Sequence, residues 1–114
     1  MMSQTDLPAV VLDYIEASNR HHVEGYVNAF SEHAVIEENS LGRNLLGRQE
    51  IADYFIAYFV KTNTITEIID FTVNSDVVNM RVLFKGDFAG NEIIGVYQFD
   101  LKNGRIEKLK ADLE

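Results

Sequence analysis

Apolar residues recur with a helical period over the first half of the chain and with a period of two over the second. Leu7, Val10, Val11, Tyr14, Ile15 and Ser18 fall at i, i+3, i+4, i+7, i+8 and i+11, one stripe down a first helix. Thr5 or Asp6 is placed to cap that helix, and Pro8 falls in its first turn, where a missing N–H costs nothing. Val23, Tyr26, Val27 and Phe30 share one face of a short second helix, whose length Gly25 limits. Residues 34–39 then read as a short strand. Residues 40–47, with glycines at Gly42 and Gly47, read as a turn-rich connection. A third helix is predicted from about Arg48 to Lys61, with Ile51, Tyr54, Phe55, Tyr58 and Phe59 at helical spacing.

Beyond Asn63 the alternation becomes strict. Ile65, Glu67, Ile69, Phe71 and Val73 alternate with Thr66, Ile68, Asp70 and Thr72. Val78, Met80, Val82 and Phe84 form one face of a following strand. Ala89-Gly90-Asn91 turns the chain into a strand carrying Ile93, Gly95, Tyr97, Phe99 and Leu101. Asn103-Gly104 is a strong two-residue hairpin signal, and it leads into a last strand over 105–113. Helices first and an antiparallel meander afterwards specify an α+β domain rather than repeated βαβ units. The strands are apolar on both faces at Ile68/Ile69, Val77/Val78 and Ile93/Ile94. Helices on one side of a sheet cover only one of those faces, so a second copy of the chain is expected to cover the other.

Length and charge narrow the function. With 114 residues and no linker or repeat, positions 1–114 form a single domain, and 46% hydrophobic residues with one Pro argue against disorder. Lys and Arg total 10 against 18 Asp and Glu, a net charge of −8. No basic surface is left to neutralise phosphates, so nucleic acid and anionic membranes are not expected partners. The absence of Cys removes thiol nucleophiles, disulfides and Cys-based metal sites. No apolar run approaches the ~18 residues of a membrane helix, and the first residues lack a basic leader, so a cytoplasmic protein is expected.

Most catalytic signatures are missing. His21 and His22 are neighbours and cannot share a helix face, His33 precedes a strand, and none belongs to a metal-ligand pattern. His22, near the end of helix one, is most simply a dipole-favoured or capping residue. No nucleophile elbow surrounds a Ser, and no phosphate-binding Gly loop follows a strand. No cofactor and no metal are expected.

One resemblance covers the whole chain. It begins with a Tyr in helix one and an acidic-aliphatic second helix leading to Phe30 and Ser31-Glu32-His33-Ala34-Val35. It continues through the acidic pair Glu37-Glu38 and through Gly47 opening a helix with Ile51 and adjacent aromatics. It ends in a final hairpin over 98–113. In this order the elements resemble ketosteroid isomerases and the wider nuclear-transport-factor-like, SnoaL-like superfamily. The resemblance implies a cone-shaped, curved antiparallel sheet packed on three N-terminal helices, with an apolar pocket at the open end. It also implies dimerisation through the outer sheet face.

Ketosteroid isomerases pair an Asp base with an oxyanion hole made of a Tyr and a protonated Asp. Carried over residue by residue, the Tyr falls on Tyr14, the base on Glu38, and the protonated Asp on Gly95, which has no group to offer. The second-helix aromatic is Phe30, and the expected Tyr of helix three falls on Phe55, with Tyr54 beside it. Glu37 and Glu38 must point to opposite faces, and Ile36 shares the face of Glu38, so Glu38 is the inward candidate. Tyr54, Phe55, Tyr58, Met80, Phe84, Gly95 and Tyr97 are the implied pocket lining, and Gly95→Asp would restore the missing donor. The ligand expected is a small apolar molecule with one or two polar handles.

Three functions follow from this reading, the third a protein–protein adaptor that uses the sheet face, like the superfamily's transport members. In the first, an isomerase, cyclase or dehydratase acts on a small carbonyl compound, with Glu38 abstracting a proton and Tyr14 holding the oxyanion. In the second, a non-catalytic ligand-binding or dimerisation module has the same residues dressing its pocket.

Overall fold

A computed structural model describes residues 6–114; Thr5, one candidate cap, lies outside them. Helix α1 spans Ala9–Asn19 and α2 Val23–Asn28. Strand β1 (Phe30–Glu38), β2 (Arg43–Leu46) and α3 (Gly47–Phe55) follow. A π-helical turn at Ile56–Val60 then leads to β3 (Ile65–Asn74), β4 (Val77–Lys85), β5 (Glu92–Lys102) and β6 (Arg105–Leu113). The strands form one six-stranded sheet in the order β2-β1-β6-β5-β4-β3. All neighbours are antiparallel except β1 and β6. The sheet curves around the helices without closing, the expected α+β architecture.

The helical stripes bury as their spacing requires. Val11, Tyr14, Ile15 and Ser18 are buried on α1, Tyr26 on α2, and Ile51, Tyr54 and Phe55 on α3. Pro8 is the N-cap of α1, not Asp6 two residues earlier, so Pro8 precedes the first turn instead of lying in it, and its carbonyl accepts the Val11 and Leu12 amides. The other end of α1 closes with His21 in a left-handed conformation (φ 54°). Its amide and that of His22 bond back to Ser18 and Ala17, a closure in which glycine is the usual residue. His22 occupies the N-cap position of α2, but its side chain makes no cap hydrogen bond.

Three further elements depart from the reading of the sequence. Phe30 opens β1 instead of ending α2, and its carbonyl accepts from Arg48 of α3. The connection after Glu38 contains β2, which pairs with β1 from Val35↔Leu46 to Glu38↔Arg43. The third helix keeps its predicted extent but widens to a π-turn at its end, where the Lys61 amide reaches the Ile56 carbonyl.

Strand β3 departs from simple alternation. Ile68 pairs with Val82 and Asp70 with Arg81, so Ile69 is an extra residue. This bulge exchanges the two faces. Thr66 and Ile68 point inward before it, Phe71 and Val73 after it, and Ile69 is 42% exposed. The β3 edge is covered at its start by the end of α1. Asn19 donates to the Thr66 carbonyl (3.0 Å) and accepts from the Thr66 amide (2.7 Å), acting as a short extra strand partner. At the far end of the sheet, Asn103 and Gly104 both take positive φ (52° and 74°), the two-residue turn the sequence predicts.

Candidate functional site

Glu38 ends β1, with Ala111 of β6 opposite it, and the same row of the sheet continues through Tyr97 and Met80. The parity expected from Ile36 holds. Glu38 is 6% exposed on the concave face. Glu37 faces outward and forms an ion pair with Lys108 (2.8 Å).

The Glu38 carboxylate is held by three protein donors. Because the chain turns directly after β1, Ser40 comes back over the strand end, and its hydroxyl (2.5 Å) and amide (3.1 Å) both donate to Oε1. The Tyr54 hydroxyl donates to Oε2 at 2.5 Å from α3. These bonds replace the water that burial removes. A carboxylate has about four acceptor positions, so one remains, on Oε2.

Above this carboxylate lies an open cavity of about 250 Å³. Its wall is largely apolar: Phe59, Phe84, Phe88, Ile93, Ala111 and Leu113, with Leu41 and Tyr58 at the mouth. Polar groups enter it from Glu38, Ser40, Tyr54, Thr62, Thr64, Tyr97 and Asp112. The π-turn brings both Tyr58 and Phe59 to this wall, and Tyr58 is 46% exposed there.

Beneath the cavity floor the phenols form a cluster. The Tyr14 hydroxyl lies 3.2 Å from that of Tyr26 and is also coupled to Tyr97. The Tyr14 ring meets Tyr97 and Phe99 edge-on, with centroids 5.9 and 5.2 Å apart. Burial pushes Tyr14, Tyr26, Tyr54 and Tyr97 well above the ordinary tyrosine range. Mutual repulsion of their ionised forms adds to the shift, and so does Glu38 for Tyr26, Tyr54 and Tyr97. All four are therefore neutral hydrogen-bonding groups near pH 7.

Of the residues expected to line the pocket, Glu38, Tyr54, Tyr58, Phe84 and Tyr97 do so. Tyr14, Phe55, Met80 and Gly95 are not on its wall. Tyr14 lies below Tyr97. Phe55 turns away from the cavity and stacks face-to-face on Tyr26 (3.9 Å, 9°). Met80 is covered within the sheet core. Gly95 is buried beneath the Phe84 ring. Ser40, Thr62, Thr64 and Asp112 were not foreseen. The family positions of a tyrosine network fall on Phe30 and Phe55, which implied a weakened network; Tyr26 and Tyr54 supply phenols from neighbouring positions instead. No helix among the described residues is long and apolar enough to cross a membrane.

A sequence profile described as the SnoaL-like domain matches residues 11–109. No curated protein sequence matches the chain. Among solved structures, a Sinorhizobium meliloti protein described as a polyketide cyclase is 26% identical. It superposes with a TM-score of 0.89 over 97% of this chain and 100% of its own. The epoxide hydrolase/cyclase-like enzyme SalBIII, with a role in pyran ring formation in the polyether salinomycin, is 21% identical. Its TM-score is 0.82, over 100% of this chain and 95% of its own. A Mycobacterium tuberculosis protein in complex with estradiol-17β-hemisuccinate is 15% identical, with a TM-score of 0.80 over 90% and 89% of the two chains.

Proposed function

The chain belongs to the SnoaL-like domain family, and on that basis we propose that it is an acid–base enzyme that moves a proton next to a carbonyl in a small, largely apolar molecule. The observation that carries this reading is Glu38: a buried carboxylate on the wall of an apolar cavity, fixed by three donors, with one Oε2 acceptor position left for substrate. A base held in this way reaches a C–H without reorganising. The enolate oxygen that forms is met by the Tyr97 hydroxyl. Tyr14 is a positioning residue: with Tyr26 behind it, it orients and polarises Tyr97 from below the floor. Isomerisation, ring closure and dehydration all begin with this step. That range suits a fold whose relatives include proteins described as a polyketide cyclase and a ketosteroid isomerase.

Exchange of α-protons for deuterium in a simple cyclic ketone, followed by NMR, tests the reading without knowledge of the natural substrate. Glu38→Gln should abolish protein-catalysed exchange while ketone affinity stays within about twofold. Tyr97→Phe should slow it by roughly 10²–10³, the loss of one oxyanion donor, and Tyr14→Phe by less. Exchange in Glu38→Gln at the wild-type rate overturns the proposal.

The same three donors favour a second reading, a binding module in which Glu38 anchors a ligand's hydroxyl. A designed 17-OHP binder shares the fold, with a TM-score of 0.79 at 14% identity. In that case the wild type binds the ketone and exchanges nothing.

We also propose a homodimer through the outer face of the sheet. Leu83, Ile94 and Val96 are only half-buried there, and Ile69 is exposed. Light scattering should give twice 13.0 kDa. A monomer at micromolar concentration overturns this.

A further inference from the structure

Gly95 is buried although it has no side chain, and what covers it is Phe84. The two residues are diagonal neighbours on the concave face: Val82 pairs with Gly95 and Phe84 with Ile93. A Cβ built on Gly95 would sit 2.4 Å from Phe84 Cε2 and 3.1 Å from Cζ, so the ring occupies the space that any side chain at 95 would enter. The ring is braced there. It meets Phe59 edge-on at 5.7 Å and Tyr97 at 5.8 Å. It is also part of the cavity wall.

We infer that Phe84, seated in the gap left by Gly95, is the residue that sets the size of the ligand the cavity takes. The inference rests on the reading of this cavity as the substrate site. The open cavity, about 250 Å³, is larger than the ~150 Å³ that holds a benzene, and the Phe84 ring forms part of its wall. Over Gly95 the three atoms nearest to a built Cβ all belong to the Phe84 ring, at 2.4, 3.1 and 3.3 Å. Removing the ring joins that space to the cavity. Adding a side chain at 95 does the opposite: Phe59 and Tyr97 flank the ring, so it must swing into the cavity.

Phenol and 2-naphthol serve as probes, because each presents a hydroxyl on one or two fused rings. Their affinities are measured by calorimetry for the wild type, Phe84→Ala, Gly95→Ala and the double variant, together with thermal midpoints. Phe84→Ala should shift the naphthol-to-phenol affinity ratio at least about tenfold toward naphthol. Gly95→Ala should weaken both probes and lower the midpoint. In the Phe84→Ala background the same change at 95 should cost little in either measurement. A ratio unchanged by Phe84→Ala overturns the inference, as does a Gly95→Ala penalty that persists without the ring. Because only binding and melting are read, an intact ratio shift alongside unimpaired exchange in Glu38→Gln would reject the catalytic proposal and leave this inference standing. Failure of both probes to bind any of the four proteins would reject this inference and leave the catalytic proposal to the exchange assay.

Discussion

Replacing Tyr54 by Phe removes one oxygen and nothing else from the support of Glu38. The ring keeps its neighbours, Tyr58 at 5.5 Å and Phe59 at 5.8 Å, so no packing is lost. What disappears is a 2.5 Å donor to Oε2. A hydrogen bond to a charged group contributes about 1.5–3 kcal/mol. Ser40 still holds Oε1 through two bonds, so the carboxylate is not orphaned, and the expected cost is about 2 kcal/mol. With an m-value of about 1–3 kcal/mol/M, the urea midpoint falls by roughly 1 M. In a Glu38→Gln background the phenol loses only a neutral partner, which costs about 1 kcal/mol. The two changes should therefore couple by about 1 kcal/mol. Urea unfolding of the four proteins by circular dichroism, at one pH and one protein concentration, measures this. If Tyr54→Phe costs as much in the Glu38→Gln background as in the wild type, the phenol does not serve the carboxylate and the reasoning fails.

Alkali should unfold the protein cooperatively. Tyr14, Tyr26, Tyr54 and Tyr97 stay protonated in the fold while the unfolded chain releases their protons above pH ~10. The unfolded state then binds fewer protons, and each residue removes about 1.4 kcal/mol of stability per pH unit above that point. Phenolate absorbance should rise together with loss of secondary structure; buried-tyrosine ionisation before unfolding would contradict this. Ser18 is buried on α1 with a hydroxyl that has no partner among the described residues, so Ser18→Ala should stabilise by about 0.5–1 kcal/mol, read as a rise in Tm. Gly95→Asp, which would restore a family donor on paper, should lower Tm and leave ketone exchange no faster, because its Cβ meets the Phe84 ring. Faster exchange in that single variant would show the ring yields freely.

The elements whose periodicity repeats over three turns or four alternations were legible from the chain. The α1 stripe, the extent of the third helix and the Asn103-Gly104 hairpin all follow local rules that no tertiary contact overrides. The departures lie where a single residue changes register. Ile69 is one unpaired residue in β3, and a period-two pattern continues past it without a visible break, because Ile68 and Ile69 are both apolar. The Arg43–Leu46 strand was hidden by its two flanking glycines. Only its pairing with β1 makes it a strand.

The site was legible as a carboxylate and obscure as a network. Parity alone turns Glu38 inward, since Ile36 two residues earlier belongs to the core. The donors that make Glu38 usable come from Ser40, two residues on, and Tyr54, sixteen residues on. A loop serine carries no pattern, and the spacing of α3 makes Tyr54 and Phe55 equally good core residues. Aligning one position at a time also misreads Gly95. Taken singly, it is a missing donor. In the fold it is one half of a pair, because the space a side chain at 95 would fill is taken by a ring from the neighbouring strand. The bare backbone at 95 and the large aromatic at 84 share one space between two strands. On the proposed reading the oxyanion donor is therefore Tyr97, next along the same face of β5, which reaches the cavity wall and packs edge-on against Tyr14.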